Sequence, residues 1–142
     1  MAYLVDTNIL LRSIQPGHPF HERAVNAVEM VLIQGETIYF CPQNVREFWN
    51  VCTRPVENNG LGMTPAQVVH EVETLESTLT FLPDSPTVYI EWRRLVEGHA
   101  VTGVQVHDTN LVAVMVAEGI DRFLTFNPAH FRRFAGITIV EP

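Results

Sequence analysis

Apolar residues occur along this chain both in short continuous runs and at helical spacing. Residues 3–5 form an apolar run that ends in Asp6, and residues 7–14 then carry apolar side chains at helical intervals. A buried strand that delivers a carboxylate to the carboxyl edge of a parallel sheet gives this pattern. The start of the chain therefore predicts a strand, an acid at its end and a short helix.

The rest of the chain repeats this alternation between strands and helices. Strands that alternate with helices form parallel sheets covered on both faces. The sequence therefore predicts an α/β three-layer sandwich around a central, mostly parallel, five-stranded sheet, in a single domain over residues 1–142. Further helices are predicted over residues 20–34, 42–53, 65–79, 86–97 and 108–118, and further strands over 37–40, 80–82, 122–125 and 137–140.

Several helix ends are predicted from local chemistry. Thr64 and Gln67 have the spacing of a capping box, and the Pro between them suits the first helical position. Ser85 stands where it could cap the next helix, which Gly98 is expected to end. Gly119 closes the helix predicted to open at Asp108.

The composition argues against several classes of protein and excludes several catalytic mechanisms. No apolar run reaches the roughly 18 residues that a membrane span needs, and the start of the chain has no secretory pattern, so we expect a cytoplasmic protein. All nine basic residues are Arg, which excludes P-loop, Schiff-base and Ser-Lys chemistry because each needs a Lys. Cys41 and Cys52 lack the spacing of a zinc or redox motif and are expected to be buried.

Three acids occupy positions that the predicted fold brings to one edge of the sheet. Asp6 ends the first strand, Glu47 lies in the first half of the helix after the second strand, and Asp108 begins a later helix. Carboxylates that converge repel each other unless a cation neutralises them. Oxygen ligands favour Mg²⁺ or Mn²⁺, which can activate water at a phosphodiester.

Each acid also has a simpler explanation. Asp108 could be an N-cap, which is a favoured position for Asp. Glu47 could be a solvated helix residue paired with Arg46 or Arg54. His107 is more often a packed or supporting histidine than a metal ligand.

Four segments resemble those of the PIN-domain family, and specifically its VapC-like toxin ribonucleases from toxin–antitoxin pairs. They occur in the order and at the spacing of that family and cover most of the chain. The segments are residues 5–10, 46–48, 107–113 and 124–131.

The resemblance implies a metal-dependent endoribonuclease in which Asp6, Glu47 and Asp108 bind Mg²⁺ or Mn²⁺. Asn127 matches a variable fourth position and would be a weak, neutral ligand. His130 stands where the family commonly has an acid, which argues against a second metal ion. The residues implied to support the acids by hydrogen bonding are Thr7, Asn8 and Thr125.

The resemblance further implies a homodimer, an RNA substrate and a small antitoxin partner. The candidate phosphate contacts are Arg12 and Arg46, with Arg93 and Arg94 as further possibilities, whereas Arg132 and Arg133 could be a solvated helix end. The net charge of −7 argues against general coating of nucleic acid, because nonspecific affinity comes from phosphate neutralisation.

Two other functions remain compatible with the residues. A noncatalytic interaction module could keep the fold without turnover, given Asn127 and His130. Aspartyl-phosphate chemistry at Asp6 is less favoured, because such sites need a Lys, and the phosphatases usually a second Asp where this chain has Asn8.

Overall fold

The structure is a computed structural model that describes residues 2–142. Its central sheet has five strands in the order β3-β2-β1-β4-β5, and every neighbouring pair is parallel. The predicted mostly parallel sheet is therefore confirmed. The strands are β1 (Ala2–Val5), β2 (Thr37–Phe40), β3 (Thr80–Phe81), β4 (Arg122–Leu124) and β5 (Thr138–Val140).

The strand order has its reversal between β1 and β4. From β1 the chain first moves through β2 to β3 at one edge, and later returns to β4 and moves on to β5 at the other. In open parallel sheets, ligands bind outside the carboxyl ends of the strands at such a reversal. Asp6 directly follows β1 and Thr125 directly follows β4, so both residues lie at this point.

Within residues 2–142, six helices and two single-turn 3₁₀ helices connect the strands. The layers follow from the alternation of side chains along β1. Tyr3 and Val5 belong to a core shared with the first four helices, whereas Leu4 belongs to a core shared with the last two. The helices are α1 (Thr7–Ser13), α2 (His21–Ile33), α3 (Pro42–Thr53), α4 (Pro65–Thr78), α5 (Pro86–Gly98) and α6 (Gln105–Glu118), and the 3₁₀ turns are Val56–Asn58 and Pro128–His130.

The predicted ends of most elements agree with the structure to within a residue or two. The bounds of β2 and α3 are confirmed, and so is the capping box, in which Thr64 Oγ1 accepts from the Gln67 amide at 3.2 Å. Cys41 and Cys52 are buried as expected. Within residues 2–142, no helix is both long and apolar enough to cross a bilayer.

One predicted cap makes no side-chain contact, and one predicted helix start is wrong. Ser85 is at the N-cap of α5 and the helix ends at Gly98, as predicted to within a residue, but the Ser85 hydroxyl makes no hydrogen bond. Helix α6 begins at Gln105, three residues before the predicted start, because the backbone carbonyl of Gly103 already accepts from the Val106 amide at 3.2 Å. Asp108 is therefore inside the first turn of α6 and is not the N-cap. Its negative charge is favoured there by the N-terminal end of the helix dipole.

Candidate active site

Asp6 is held at the sheet edge by contacts from the loop after β4. Its backbone amide donates to the Leu124 carbonyl at 2.9 Å, which continues the pairing of β1 with β4. The Thr125 hydroxyl donates to Asp6 Oδ2 at 2.7 Å and itself accepts from the Asn127 amide at 2.9 Å. The Asp6 side chain is thus buried and fixed, with Thr125 as its direct support.

Glu47 is joined to the end of β1 through two buried side chains. The Thr7 hydroxyl donates to Glu47 Oε1 at 2.9 Å and accepts from Asn44 Nδ2 at 3.1 Å. Asn44 Nδ2 also donates to the Val5 carbonyl at 3.0 Å, while its Oδ1 accepts from the Cys41 amide at 2.8 Å. Because Asn44 is fully buried and every polar atom of its side chain is bonded, it fixes the start of α3 against β1.

Gln43 makes the corresponding link from α3 to α6. Its side-chain amide donates to the His107 carbonyl at 2.8 Å and, at a longer 3.4 Å, to Glu47 Oε1. Its own carbonyl oxygen accepts from Asn110 Nδ2 at 2.8 Å. The start of α6, which carries Asp108, is therefore held beside the helix that carries Glu47.

Asp108 is half-buried in the first turn of α6 and contacts the 3₁₀ turn after β4. His130 Nδ1 lies 3.2 Å from Asp108 Oδ2. Burial raises the pKa of Asp108 above its usual value of 3.8, while His130 and His107 act in the opposite direction. His130 thus occupies the position of the expected acid as a partner of Asp108.

The pKa of Asp6 reflects its burial and the charges of the other two acids. The pKa of Asp6 is raised from 3.8 to about 6, chiefly by burial, with the negative charges of Asp108 and Glu47 adding to the rise. The hydrogen bond from Thr125 opposes it. Ionised Asp6 is therefore an unfavourable state that a bound cation would relieve.

The available donors fit a hard divalent cation. The carboxylate oxygens of the three acids are the ligands that Mg²⁺ and Mn²⁺ prefer, and the buried Oδ1 of Asn8, two residues after Asp6, has no hydrogen-bond partner. Among residues 2–142, however, no three His, Cys, Asp or Glu side chains form a group with the spacing of a complete metal site. The charges of the three acids therefore influence one another, but their side chains do not form a complete set of metal ligands.

Only some of the other candidate residues make hydrogen bonds to the acids. Thr7 and Thr125 make the hydrogen bonds expected of them. Asn8 makes none to the acids among the described residues, because Asn44 and Gln43 from α3 supply that support. Asn127 is exposed and contributes its backbone amide to Thr125.

Of the four candidate phosphate contacts, Arg46 lines a cleft beside an acid and the others bond within their own helices or at their ends. Arg46 is exposed and lines a cleft of about 480 Å³ together with Glu47 and Asn110. Arg12 instead bonds to Gln15 at 2.8 Å on its own helix and does not line this cleft. Arg93 and Arg94 pair with Glu97 and Glu91 on α5.

Sequence reasoning missed Gln43 and Asn44, which are buried polar residues on α3. A signal was available for Asn44, since it is at the third position of a helix that begins with Pro42, where a side chain can accept from the N-cap amide. Their links to Val5, Thr7 and His107 involve residues 37 to 64 positions away and have no counterpart in a local pattern.

Fold and site together define a three-layer α/β domain with an acidic edge at its strand reversal. The chain belongs to the PIN domain family, whose profile matches residues 3–137. Ribonuclease VapC48 of Mycobacterium tuberculosis, from the strains CDC 1551 / Oshkosh and ATCC 25618 / H37Rv, is 26% identical over 144 residues and covers 100% of this chain and 98% of that protein.

Solved structures show the same fold at lower identity. VapBC2 from Rickettsia felis bound to a promoter DNA fragment has a TM-score of 0.73 and 18% identity, covering 100% of this chain and 99% of that chain. Mycobacterium tuberculosis VapC20, described as a Sarcin-Ricin loop cleaving toxin, has a TM-score of 0.69 and 17% identity, covering 99% of both chains. The chain therefore resembles VapC ribonucleases along its whole described length.

The role of Asn44 can be measured through stability. Asn44→Ala leaves the Cys41 amide, the Val5 carbonyl and the Thr7 hydroxyl without their buried partner, so we expect a loss on the order of 2–4 kcal/mol in the free energy of unfolding. Asn50→Ala, at an exposed position of the same helix, is expected to change it by less than about 0.5 kcal/mol. Equal effects of the two substitutions in denaturant unfolding would contradict the role given to Asn44.

The pKa of Asp6 predicts how stability depends on pH in metal-free protein. Since the folded-state pKa of about 6 exceeds the unfolded value of 3.8, the contribution of Asp6 to stability is fully present below about pH 4, and up to about 3 kcal/mol is lost as the pH rises through 6. Asp6→Asn cannot ionise, so its stability relative to the wild type should increase over this range and level off near pH 7.

Thermal unfolding of both proteins in chelator, at pH 4.5 and pH 7.5, measures this difference. Asp121→Asn, at an exposed position before β4, provides the matched control and is expected to show no such trend. A stability difference between Asp6→Asn and the wild type that is the same at both pH values would show that the ionisation of Asp6 carries no such penalty.

Proposed function

We propose that this protein is a Mg²⁺- or Mn²⁺-dependent endoribonuclease that hydrolyses phosphodiester bonds of RNA. The observation that carries the proposal is the buried carboxylate of Asp6 at the strand reversal, whose pKa is raised chiefly by burial and further by the charges of Asp108 and Glu47. Three segments far apart in sequence supply these acids, and separate hydrogen bonds support them. An arrangement that disfavours its own negative charge suits a site for a divalent cation.

In this proposal Asp6, Glu47 and Asp108 hold the ion, with Asn127 as a weak additional ligand. When bound, such an ion activates water and stabilises the charge that develops on the phosphate. Thr125, Thr7 and Asn44 keep the carboxylates in position for it. Because His130 occupies the place of a further acid, we infer one well-occupied metal site.

RNA as the substrate is supported by the relatives and by the placement of Arg46. The curated relative is named a ribonuclease, and VapC20 is described as cleaving the Sarcin-Ricin loop. Arg46 offers a cation in the cleft beside Glu47. Arg46 beside an acidic site suits an enzyme that contacts RNA locally in the cytoplasm, despite the net charge of −7.

A small antitoxin is the proposed protein partner, and a homodimer is the proposed assembly. Several similar solved structures are VapBC complexes. An apolar groove of about 350 Å³ between α1, α2 and α4 could accept the apolar face of a partner helix. Its apolar lining includes Leu10, Ile14, Val28, Leu32, Leu75 and Leu79.

The nuclease activity is tested with single-stranded RNA and each metal. Wild-type protein should cleave RNA with Mg²⁺ or Mn²⁺ and not in chelator, and Asp6→Asn, Glu47→Gln and Asp108→Asn should each reduce the rate by about 100-fold or more. Asp121→Asn should retain the wild-type rate, because Asp121 lies before β4, at the opposite end of that strand. Wild-type protein that cuts no RNA, or an Asp6→Asn variant that cuts equally well, would refute the proposal.

The noncatalytic alternative is favoured by the absence of a complete ligand group within residues 2–142 and by His130 in the place of an acid. Calorimetry separates it from a nuclease. A working site should bind Mn²⁺ and lose that binding on Asp108→Asn, whereas an interaction module without metal chemistry should bind no Mn²⁺ in either form.

The partner proposal is tested by coexpression with the product of the neighbouring reading frame. If that product is a cognate antitoxin, the two proteins should copurify and the RNA cleavage rate should fall. Leu32→Asp, in the apolar groove, should weaken the complex, whereas Ile33→Asp, at an exposed position of the same helix outside the groove lining, should not. A stable complex that Leu32→Asp leaves intact would rule out this groove as the docking site.

A further inference from the structure

The cleft beside the acids continues towards α5. Three residues, Arg46, His107 and Asn110, line both the part next to Glu47 and an adjoining space of about 380 Å³. The adjoining space is bounded by α5, which contributes Tyr89 and Trp92. One groove, joined by these shared residues, therefore runs from Glu47 of the acidic site to an aromatic wall.

The two aromatic rings of this wall are held in a fixed arrangement. Tyr89 and Trp92 have ring centroids 6.3 Å apart and an interplanar angle of 29°. Trp92 Nε1 donates to the Val106 carbonyl at 2.8 Å, and an Arg93 nitrogen donates to the Tyr89 hydroxyl at 3.3 Å. Trp92 is partly buried, whereas Tyr89 is 60% exposed and presents its ring to solvent. A ligand that contacts this ring would restrict few side-chain torsions, so binding would cost little side-chain entropy.

Arg46 is the groove's candidate contact for a phosphate. Among the described residues, Arg46 has neither an ion pair nor a hydrogen bond, whereas Arg93 and Arg94 pair with Glu97 and Glu91. Arg46 is in the part of the groove shared by the acidic site and the aromatic wall. Asp84 is the acid that lines the aromatic part, so the charge there is close to balanced.

We propose that Tyr89 and Trp92 form a stacking site for one unpaired base of the RNA substrate, with Arg46 contacting the phosphate between that base and the cleaved bond. This inference rests on the proposed ribonuclease function. Aromatic side chains bind bases through their π-faces with little sequence preference, and RNA offers such bases where it is single-stranded. The site thus selects unpaired RNA and sets the position of the strand over the acids.

Binding measurements in an Asp6→Asn parent test the stacking site without cleavage. Fluorescence anisotropy with a short, mixed-sequence single-stranded RNA should show about 10-fold weaker binding for Tyr89→Ala than for the parent, and nearly unchanged binding for Tyr89→Phe, which keeps the ring. Ile90→Ala provides the matched control, because Ile90 is 62% exposed on the same helix and does not line the groove.

An abasic strand of the same length, which keeps the phosphates and lacks the bases, identifies stacking directly. Tyr89→Ala should bind this strand as the parent does, whereas Arg46→Ala should weaken both strands. Equal affinity of Tyr89→Ala and the parent for the normal RNA would overturn the stacking site while leaving the ribonuclease proposal intact. A parent that binds no RNA, together with wild-type protein that cleaves none, would instead overturn both.

The competing occupant of this wall is a second copy of the chain. Light scattering of the parent and of Tyr89→Ala, without RNA, separates the two possibilities. The same mass for both proteins supports the RNA site, whereas a change from dimer to monomer on Tyr89→Ala would make the wall a contact between copies and overturn the proposal.

Discussion

The burial of Asp6 at the carboxyl end of β1 is the constraint around which the site is organised. A carboxylate there is removed from water by the sheet and by the loop after β4, and two further acids add to the cost of its charge. Thr125 offsets part of that cost with one hydrogen bond, yet the pKa remains near 6. The fold thus carries an electrostatic cost at Asp6 that the proposed cation would relieve.

The surrounding scaffold orients these repelling groups and offsets only part of the cost of their charge. Each acid is held from a different part of the fold, which makes the geometry depend on how the elements pack. Asn44 and Gln43 are central to this, because one connects α3 to β1 and the other connects α3 to α6. The polar groups of Asn44 are buried and fully bonded, and such networks specify one arrangement of the chain rather than merely adding stability. The fold therefore fixes the relative positions of the acids before any ligand binds.

Local patterns predicted those elements whose ends depend on nearby residues. The limits of β2 come from a short run of β-branched and aromatic residues, and α3 begins at a Pro that suits its first turn. The start of α6 was missed because Gln105 follows a backbone turn at Gly103 and no capping side chain marks it. The acids could be proposed from the alternation of strands and helices, since strand ends and the starts of following helices meet at one edge of the sheet.

What the sequence could not supply are contacts made across the fold. Arg12 and Arg46 both lie near recognisable segments, but Arg12 bonds within its own helix and only Arg46 reaches the cleft. Tyr89 and Trp92 have ordinary helical spacing, and their relation to the acids depends on the packing of α5 against α6. In the proposed function the groove combines two features: the acids would bind a cation, and Arg46 with the aromatic wall would contact the RNA. Because the net charge of −7 disfavours nonspecific binding of nucleic acid, recognition of the proposed substrate would depend on such local, oriented contacts.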